Sequence, residues 1–309
     1  MTNLNMVLVE KELYRLNLIK IIIILLTFVI IAGGIYCIKY NSIWIELFAT
    51  FCIFYFLVCL YCHTLYCDYL VKTAYNLIAA TFGYQSQKEI EDCKTEEEFK
   101  VAIKDYDVEK EIFSNVVFKF NLFRKYRYIE YADYLLRGIR DNYKFTIQDF
   151  LLKFKRNYIR TNIQTRYKQL TVDTMFPISC NIIIKKNKLI KWGSIKKLKR
   201  MEIENKEFNK CYEIYTNDFE EAKNILNENF LFELLRYDKI YGRKIEIILT
   251  PKKLFLLDQI SVWDLIFKQS WHWNIFVSPK KQINKIWNNI NNFLNILSVI
   301  SLLDKKNSV

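Results

Sequence analysis

Near its start the chain contains two apolar runs without charge. The first run is Ile21–Ile38, bounded by Lys20 and Lys39, and the second is Leu47–Cys67. Each approaches the roughly 20 apolar residues that a helix needs to cross about 30 Å of hydrocarbon. A helix satisfies its own backbone hydrogen bonds, so we expect one in each run.

The short polar turn between the runs, Tyr40-Asn41-Ser42, predicts an antiparallel transmembrane hairpin over 21–67, with spans 21–38 and 47–67. The alternatives are buried helices of a soluble core and a cleavable signal peptide. Two neighbouring charge-free runs argue against a soluble core, and the missing Ala-x-Ala site argues against cleavage. Residues 1–20 form the predicted N-terminal tail.

The charges that flank the runs predict the orientation of the hairpin. Those on the side of the two termini are Lys11, Arg15, Lys20 and Lys72, whereas the turn carries only Lys39, offset by Glu46. Positive charge is retained on the cytoplasmic side. The sequence therefore predicts a two-span protein of the cell inner membrane with both termini in the cytoplasm.

The segment 68–111 is predicted to be a helical stalk followed by an acidic stretch. Its helical spacing is carried by Leu70, Ala74, Leu77, Ile78 and Phe82. The segment 112–262 then reads as short strands at Tyr134–Ile139, Lys144–Phe154, Phe176–Ile184, Met201–Ile203, Tyr212–Tyr215, Lys244–Leu249 and Leu254–Leu257. The turn Arg140-Asp141-Asn142 separates the first two strands.

Two helices interrupt these strands: one over Phe219–Leu226 capped by Asn217, and one over Leu231–Arg236 starting at Asn227 or Asn229. The pattern predicts an α+β fold, a cytoplasmic mixed α/β domain over 112–262 with mainly antiparallel strands.

The segment 263–309 combines a Trp-rich part (Trp263, Trp271, His272 and Trp273) with a C-terminal amphipathic helix opening at Ser278-Pro279. The apolar stripe of the helix is Ile283, Ile286, Trp287, Ile290, Phe293, Leu294, Leu297 and Ile300. The stripe fits docking on the domain core, lying on the membrane surface, or pairing with a partner helix.

The chain has 309 residues and a formal net charge of +13, and eight Lys or Arg residues lie close together in the stretch Lys185–Arg200. Its cations are Lys185, Lys186, Lys188, Lys191, Lys196, Lys197, Lys199 and Arg200. A solvated loop is the commonest outcome for such a stretch. The functional alternatives are nucleic-acid binding and contact with anionic lipid headgroups. Tethering beside the inner leaflet favours lipid over nucleic acid.

We find no catalytic, cofactor-binding or metal-binding signature in the sequence. Cys59-x-x-Cys62 lacks a second ligand pair, and the chain has only two His and six Gly residues. The sequence therefore predicts a binding or scaffolding module at the cytoplasmic leaflet. Its partners would be the bilayer, anionic lipids, or a membrane protein contacting the hairpin or the C-terminal helix. The alternative is an enzyme or transport accessory acting on a lipid or membrane-embedded substrate.

One part of the chain is similar to a known family. The matching sequence motifs are Glu207-Phe208, Cys211-Tyr212-Glu213-Ile214-Tyr215, Asp218-x-x-Glu221-Ala222 and Ile225-Leu226, with Asp133-Tyr134 and Gly138 upstream. They resemble the bacterial domain-of-unknown-function 3137 (DUF3137) family, from Ile21 to about Leu257. The spacing before Gly138 is one residue longer, and Pro177-Ile178 replaces the family's x-Gly after Phe176. The resemblance implies the fold and two-span anchoring, and no chemistry.

Overall fold

The computed structural model describes residues 3–40, 53–55, 66, 69–86, 110–120, 122, 126–154, 165–173, 178–187, 195, 197–243, 245–260 and 278–304. The chain forms two compact units. The first comprises Met1–Thr81 and Trp263–Asn289, and the second comprises Phe82–Val262 and Ile290–Val309.

The first unit contains α1 (Asn3–Tyr40) and most of α2 (residues 69–82). The predicted tail and first span are one continuous helix, of which the 23 residues Leu13–Ile35 are long and apolar enough to cross a membrane. It is the one such helix among the described residues. The second predicted span is described only at 53–55 and 66, which are helical, so the rest of that prediction lies outside the described residues.

The second unit is built on a sheet whose nine described strands pair antiparallel throughout. They are β1 (Gln85–Ser86), β2 (Tyr126–Arg140), β3 (Tyr143–Phe154), β4 (Thr165–Asp173), β5 (Ile182–Lys186), β6 (Lys199–Met201), β7 (Tyr212–Thr216), β8 (Ile245–Leu249) and β9 (Lys253–Ile260). The spatial order is β1-β2-β3-β4-β9-β8-β5-β7-β6. The mixed α+β prediction with antiparallel strands is confirmed.

The β2–β3 hairpin follows from its turn residues. Asp141 and Asn142 both have positive φ, 52° and 66°, which is the backbone of a two-residue hairpin turn. Short polar Asp and Asn side chains tolerate that conformation better than other non-Gly residues. The predicted turn is therefore correct, and β2 extends back beyond the predicted Tyr134 to Tyr126.

Two predicted strand boundaries are wrong, and side chains are the reason. β5 starts at Ile182 instead of Phe176, because the backbone N–H groups of Ser179 and Asn181 donate to the side chains of Glu221 and Asn217 instead of a neighbouring strand. β6 ends at Met201 because the Asn209 side chain bonds both the N–H and the carbonyl of Ile203.

Side-chain caps define three short helices of the second unit. They are α4 (Lys206–Cys211), α5 (Phe219–Ile225) and α6 (Glu228–Tyr241), capped by Asn205, Asp218 and Asn227 respectively. The cap of α5 is thus Asp218 and not the predicted Asn217. Each cap oxygen accepts a backbone N–H three residues further on, which satisfies a donor left open at the helix start.

Two helical layers cover the sheet. On one side, α3 (residues 110–120) supplies Phe113, which packs against Phe150 and Phe255 at centroid distances of 5.3 and 5.2 Å. Side chains on the other face of the sheet, such as Asp258, lie toward α6. The C-terminal helices are α7 (Pro279–Leu294) and α8 (Ile296–Asp304), and α8 packs on α6. The central strands β3, β4, β8 and β9 therefore have buried residues on both faces.

Candidate functional site

The basic stretch does not remain one solvated loop. Lys185 and Lys186 end β5, whereas Lys199 and Arg200 lie on β6, which is the last described strand of the sheet. Lys197 precedes β6 and is described as well. The other three predicted lipid contacts, Lys188, Lys191 and Lys196, lie outside the described residues.

Lys185 is held inside the protein by strand β7. Its Nζ lies 2.8 Å from the Glu213 carboxylate and 5.1 Å from the centre of the Tyr215 ring. Arg200 approaches the same carboxylate at 3.8 Å. Burial alone would raise the pKa of Glu213, but the hydrogen bond and charge of Lys185, with smaller contributions from Tyr215 and Arg200, lower it. Glu213 is therefore a charged partner for these cations.

Lys186 forms an ion pair with helix α6 on the other face of the sheet. Its Nζ contacts the Asp238 carboxylate at 2.5 Å and lies 6.0 Å from the centre of the Tyr212 ring. Both side chains are largely buried. Three of the eight predicted lipid-contacting cations thus have a carboxylate partner within the fold: Lys185, Lys186 and, at 3.8 Å, Arg200.

Lys197, Lys199 and Arg200 are the exposed described cations of the stretch. The left-handed backbone of Lys197, with φ 65°, redirects the chain into β6. Positive charge on an edge strand also opposes pairing with the edge of another sheet. The three cations form an exposed surface, named here the β6 basic edge.

Sequence reasoning missed a row of largely buried charges that crosses strands β3, β4 and β9 and ends at Arg243, just before β8. Asp149 pairs with Lys168 at 2.8 Å, Lys168 lies opposite Asp258 in the β4–β9 register, and Arg243 pairs with Asp258. The signal was present in β4, whose sequence places Lys168 among Gln and Thr residues. The burial of these residues depends on partners far away in the sequence.

The charge row is arranged for pairing. Burial raises the pKa of Asp258, although the nearby charges of Arg243 and Lys168 act to lower it. Arg243 also stacks 5.6 Å from the centre of the Phe293 ring. Charges of opposite sign alternate along the row. We therefore assign it a structural role, which is to fix the register of the strands and the packing of the helical layer on the sheet.

The motif Asp218-x-x-Glu221 has a structural explanation. Asp218 caps α5, and Glu221 accepts hydrogen bonds from the backbone N–H and the hydroxyl of Ser179, at 2.7 and 2.6 Å. Burial acts to raise the pKa of Glu221, but these hydrogen bonds outweigh it and lower the pKa. The motif thus fastens α5 to the segment before β5.

Cys180 lies beside this motif and is buried. Burial, together with the neighbouring Glu221 carboxylate, raises the pKa of the Cys180 thiol to about 12. A thiol in that state is a poor nucleophile. Within the described ranges no group of three His, Cys, Asp or Glu side chains could hold a metal ion. The Trp263, Trp271, His272 and Trp273 cluster lies outside them.

The second half of the C-terminal stripe is docked on α6. Ile290, Phe293, Leu294, Leu297 and Ile300 are buried. The Tyr237 hydroxyl donates to the Asn292 carbonyl at 2.6 Å, and the Asn227 amide donates to the Leu302 carbonyl at 2.8 Å. This half of the stripe therefore packs within the protein, as the first of the three predicted alternatives requires.

Helix α1 presents the opposite situation, a broad exposed apolar surface. Its residues with 37% to 66% of their surface exposed are Leu18, Ile19, Ile21, Ile22, Leu25, Leu26, Phe28, Val29, Ile31 and Ile35. Within the span Leu13–Ile35, only Leu16 and Gly34 are buried. An exposed apolar surface of this extent marks a site of protein or membrane contact.

No curated protein matches the chain. Solved structures that resemble it include the mycobacterial trehalose monomycolate transport factor A, TtfA, at 5% identity and a TM-score of 0.29, covering 55% of this chain and 73% of that one.

The family model for DUF3137, a protein of unknown function, matches residues 154–302. The match runs from the end of β3 into α8, so it extends past the expected limit at Leu257 and leaves out the predicted hairpin. Residues 154–302 of the chain are therefore similar to the DUF3137 family.

Proposed function

We propose that this protein is a membrane-anchored binding or scaffolding module, held by two N-terminal spans with its α+β domain at the cytoplasmic leaflet. The exposed apolar surface of α1 carries the proposal. Its ten large apolar side chains would each gain roughly 1 kcal/mol on leaving water, on the order of 10 kcal/mol together. A soluble protein rarely leaves such a surface uncovered.

The second span and the orientation rest on the sequence and on one contact. Thr27 Oγ1 in α1 lies 3.0 Å from the Tyr55 hydroxyl in the second apolar run. A hydrogen bond between two polar groups at membrane depth is a common link between neighbouring spans. The cations Lys11, Arg15 and Lys72 lie on the side assigned to the cytoplasm.

The β6 basic edge supplies a second membrane contact in this proposal. Lys197, Lys199 and Arg200 are exposed, and each basic residue near an anionic surface gains about 1 kcal/mol. Lys185 and Lys186 contribute less than the sequence predicted, since carboxylates already neutralise them.

Lysine labelling of the full-length protein in nanodiscs tests this contact. Nanodiscs of phosphatidylcholine alone are compared with nanodiscs containing about 30% phosphatidylglycerol. Acylation of Lys197 and Lys199 is followed by mass spectrometry, with exposed Lys252 as the internal control. We expect anionic lipid to slow acylation of Lys197 and Lys199 severalfold and to leave Lys252 unchanged. Equal protection of all three lysines would contradict the headgroup contact.

A further inference from the structure

The exposed surface of α1 contains one line of side chains that begins basic and continues apolar. Its members are Lys11, Arg15, Leu18, Ile22, Leu25 and Val29, all of them exposed. They follow one another at alternating steps of four and three residues. At about 100° per residue they therefore lie within about 40° of a single line along the helix. This line is named here the α1 stripe.

The next cation along α1 is not part of the stripe. Lys20 comes nine residues after Lys11, which places it on about the opposite side of the helix, and it is half-buried there. Lys11 and Arg15 are thus the cations that share an exposed face with the apolar residues of the span.

The length of the stripe matches one leaflet of a bilayer. The ten residues from Arg15 to Leu25 rise about 15 Å, which is half of the roughly 30 Å of hydrocarbon. With Leu18 to Leu25 in hydrocarbon, Lys11 and Arg15 lie at the level of the headgroups, one helical turn apart. Tyr14, which is 70% exposed, lies beside them, and tyrosine is enriched at that level of a membrane.

We propose that the α1 stripe binds one anionic phospholipid of the cytoplasmic leaflet. The phosphate contacts Lys11 and Arg15, because ammonium and guanidinium groups both form charge-assisted hydrogen bonds with phosphate oxygens. An acyl chain lies along Leu18, Ile22 and Leu25. A zwitterionic lipid fits less well, since its cationic choline group would approach the same two cations. This inference rests on the proposed membrane anchor and specifies the lipid class bound beside it.

Native mass spectrometry of the full-length protein tests the site. The protein is released from nanodiscs of phosphatidylcholine with about 30% phosphatidylglycerol, and the fraction of protein carrying each lipid is measured. Each cation should contribute about fivefold, so Lys11→Gln with Arg15→Gln should lower phosphatidylglycerol retention relative to phosphatidylcholine about tenfold or more. Lys239→Gln with Lys252→Gln removes the same charge from exposed positions of the second unit and should leave retention nearly unchanged. Equal losses in the two double variants would overturn the site.

A second comparison tests the acyl-chain half of the site. Leu18→Ala with Ile22→Ala shortens two side chains of the stripe. Ile21→Ala with Phe28→Ala shortens two side chains of similar exposure that lie roughly a quarter turn away around the helix. Phosphatidylglycerol retention should fall severalfold in the first variant and stay near the wild-type value in the second, and the reverse order would contradict the proposed line.

Alkaline carbonate extraction of the wild type and the same variants separates this inference from the proposed anchor. Release of the wild type from the membrane contradicts the anchor. Retention in the membrane, combined with unchanged lipid selectivity in Lys11→Gln with Arg15→Gln, contradicts only the lipid site.

Discussion

The ring of Tyr84 covers the backbone of Gly138, so closely that a Cβ atom at that glycine would lie 2.3 Å from Tyr84 Cδ1. The same ring meets Phe145 edge-on at a centroid distance of 5.2 Å, and Phe145 is the cross-strand partner of Gly138. The glycine highlighted by the family resemblance therefore makes room for an aromatic side chain that seals this part of the sheet.

We predict that Gly138→Ala destabilises the protein by about 1–3 kcal/mol, since the added methyl group forces the Tyr84 ring from its place. Thermal unfolding of the detergent-purified protein measures the loss. Tyr84→Ala removes the clashing ring, so adding Gly138→Ala to that variant should cost less than adding it to the wild type. Equal costs in both backgrounds would rule out the packing explanation.

Lys168 should be the most sensitive member of the buried charge row. Lys168→Met leaves Asp149 without its 2.8 Å partner inside the protein, and breaking a buried pair in this way costs about 3–5 kcal/mol. The double variant Lys168→Met with Asp149→Leu removes both charges and should recover most of the loss. If the double variant is less stable than the single one by the same thermal assay, the pairing account fails.

The tether between Ser179 and Glu221 should depend on pH. The pKa of Glu221 in the folded protein is below its ordinary 4.5, so its contribution is present above the unfolded pKa and is lost as the pH falls through the folded pKa. The melting temperature of the wild type should exceed that of Glu221→Gln between about pH 6 and 8. This difference should shrink steadily below about pH 4.5. A difference that grows on acidification contradicts the assigned direction. Lys223→Gln, on the exposed side of the same helix, serves as the control.

The thiol of Cys180 should resist alkylation in the folded protein. With a pKa near 12 and a buried side chain, it carries almost no thiolate at neutral pH. Iodoacetamide labelling followed by peptide mapping should show modification of Cys180 only after denaturation, whereas the half-buried Cys211 reacts sooner. Rapid labelling of Cys180 in the native state would indicate an accessible, activated thiol and would reopen a catalytic role.

Elements with a local signal were predicted well from the sequence. Asp141-Asn142 gave the hairpin turn, and Asn227 was one of the two predicted starts of α6. Boundaries that depend on distant side chains were predicted badly. Asp218 caps α5 instead of Asn217 because the Asn217 side chain already accepts a hydrogen bond from the backbone N–H of Asn181. Strand β4 was missed because several of its residues are polar. Their burial depends on partners such as Asp149, which the sequence of the strand does not reveal.

The basic stretch shows the same limit at the candidate site. Its charge is visible in the sequence, but Glu213 and Asp238, which neutralise Lys185 and Lys186, lie 28 and 52 residues further along the chain. Only the folded sheet separates these paired cations from the exposed β6 basic edge. The apolar character of α1 was plain from the sequence.

Protease protection of the full chain in sealed vesicles tests the anchoring and orientation most directly. In inverted inner-membrane vesicles the protease should digest the domain over 112–262 and leave a protected fragment that contains Leu13–Ile35 and the second run. In right-side-out vesicles the domain should survive intact. The account is contradicted if the domain survives in inverted vesicles, or if the protease degrades Leu13–Ile35 together with the rest of the chain.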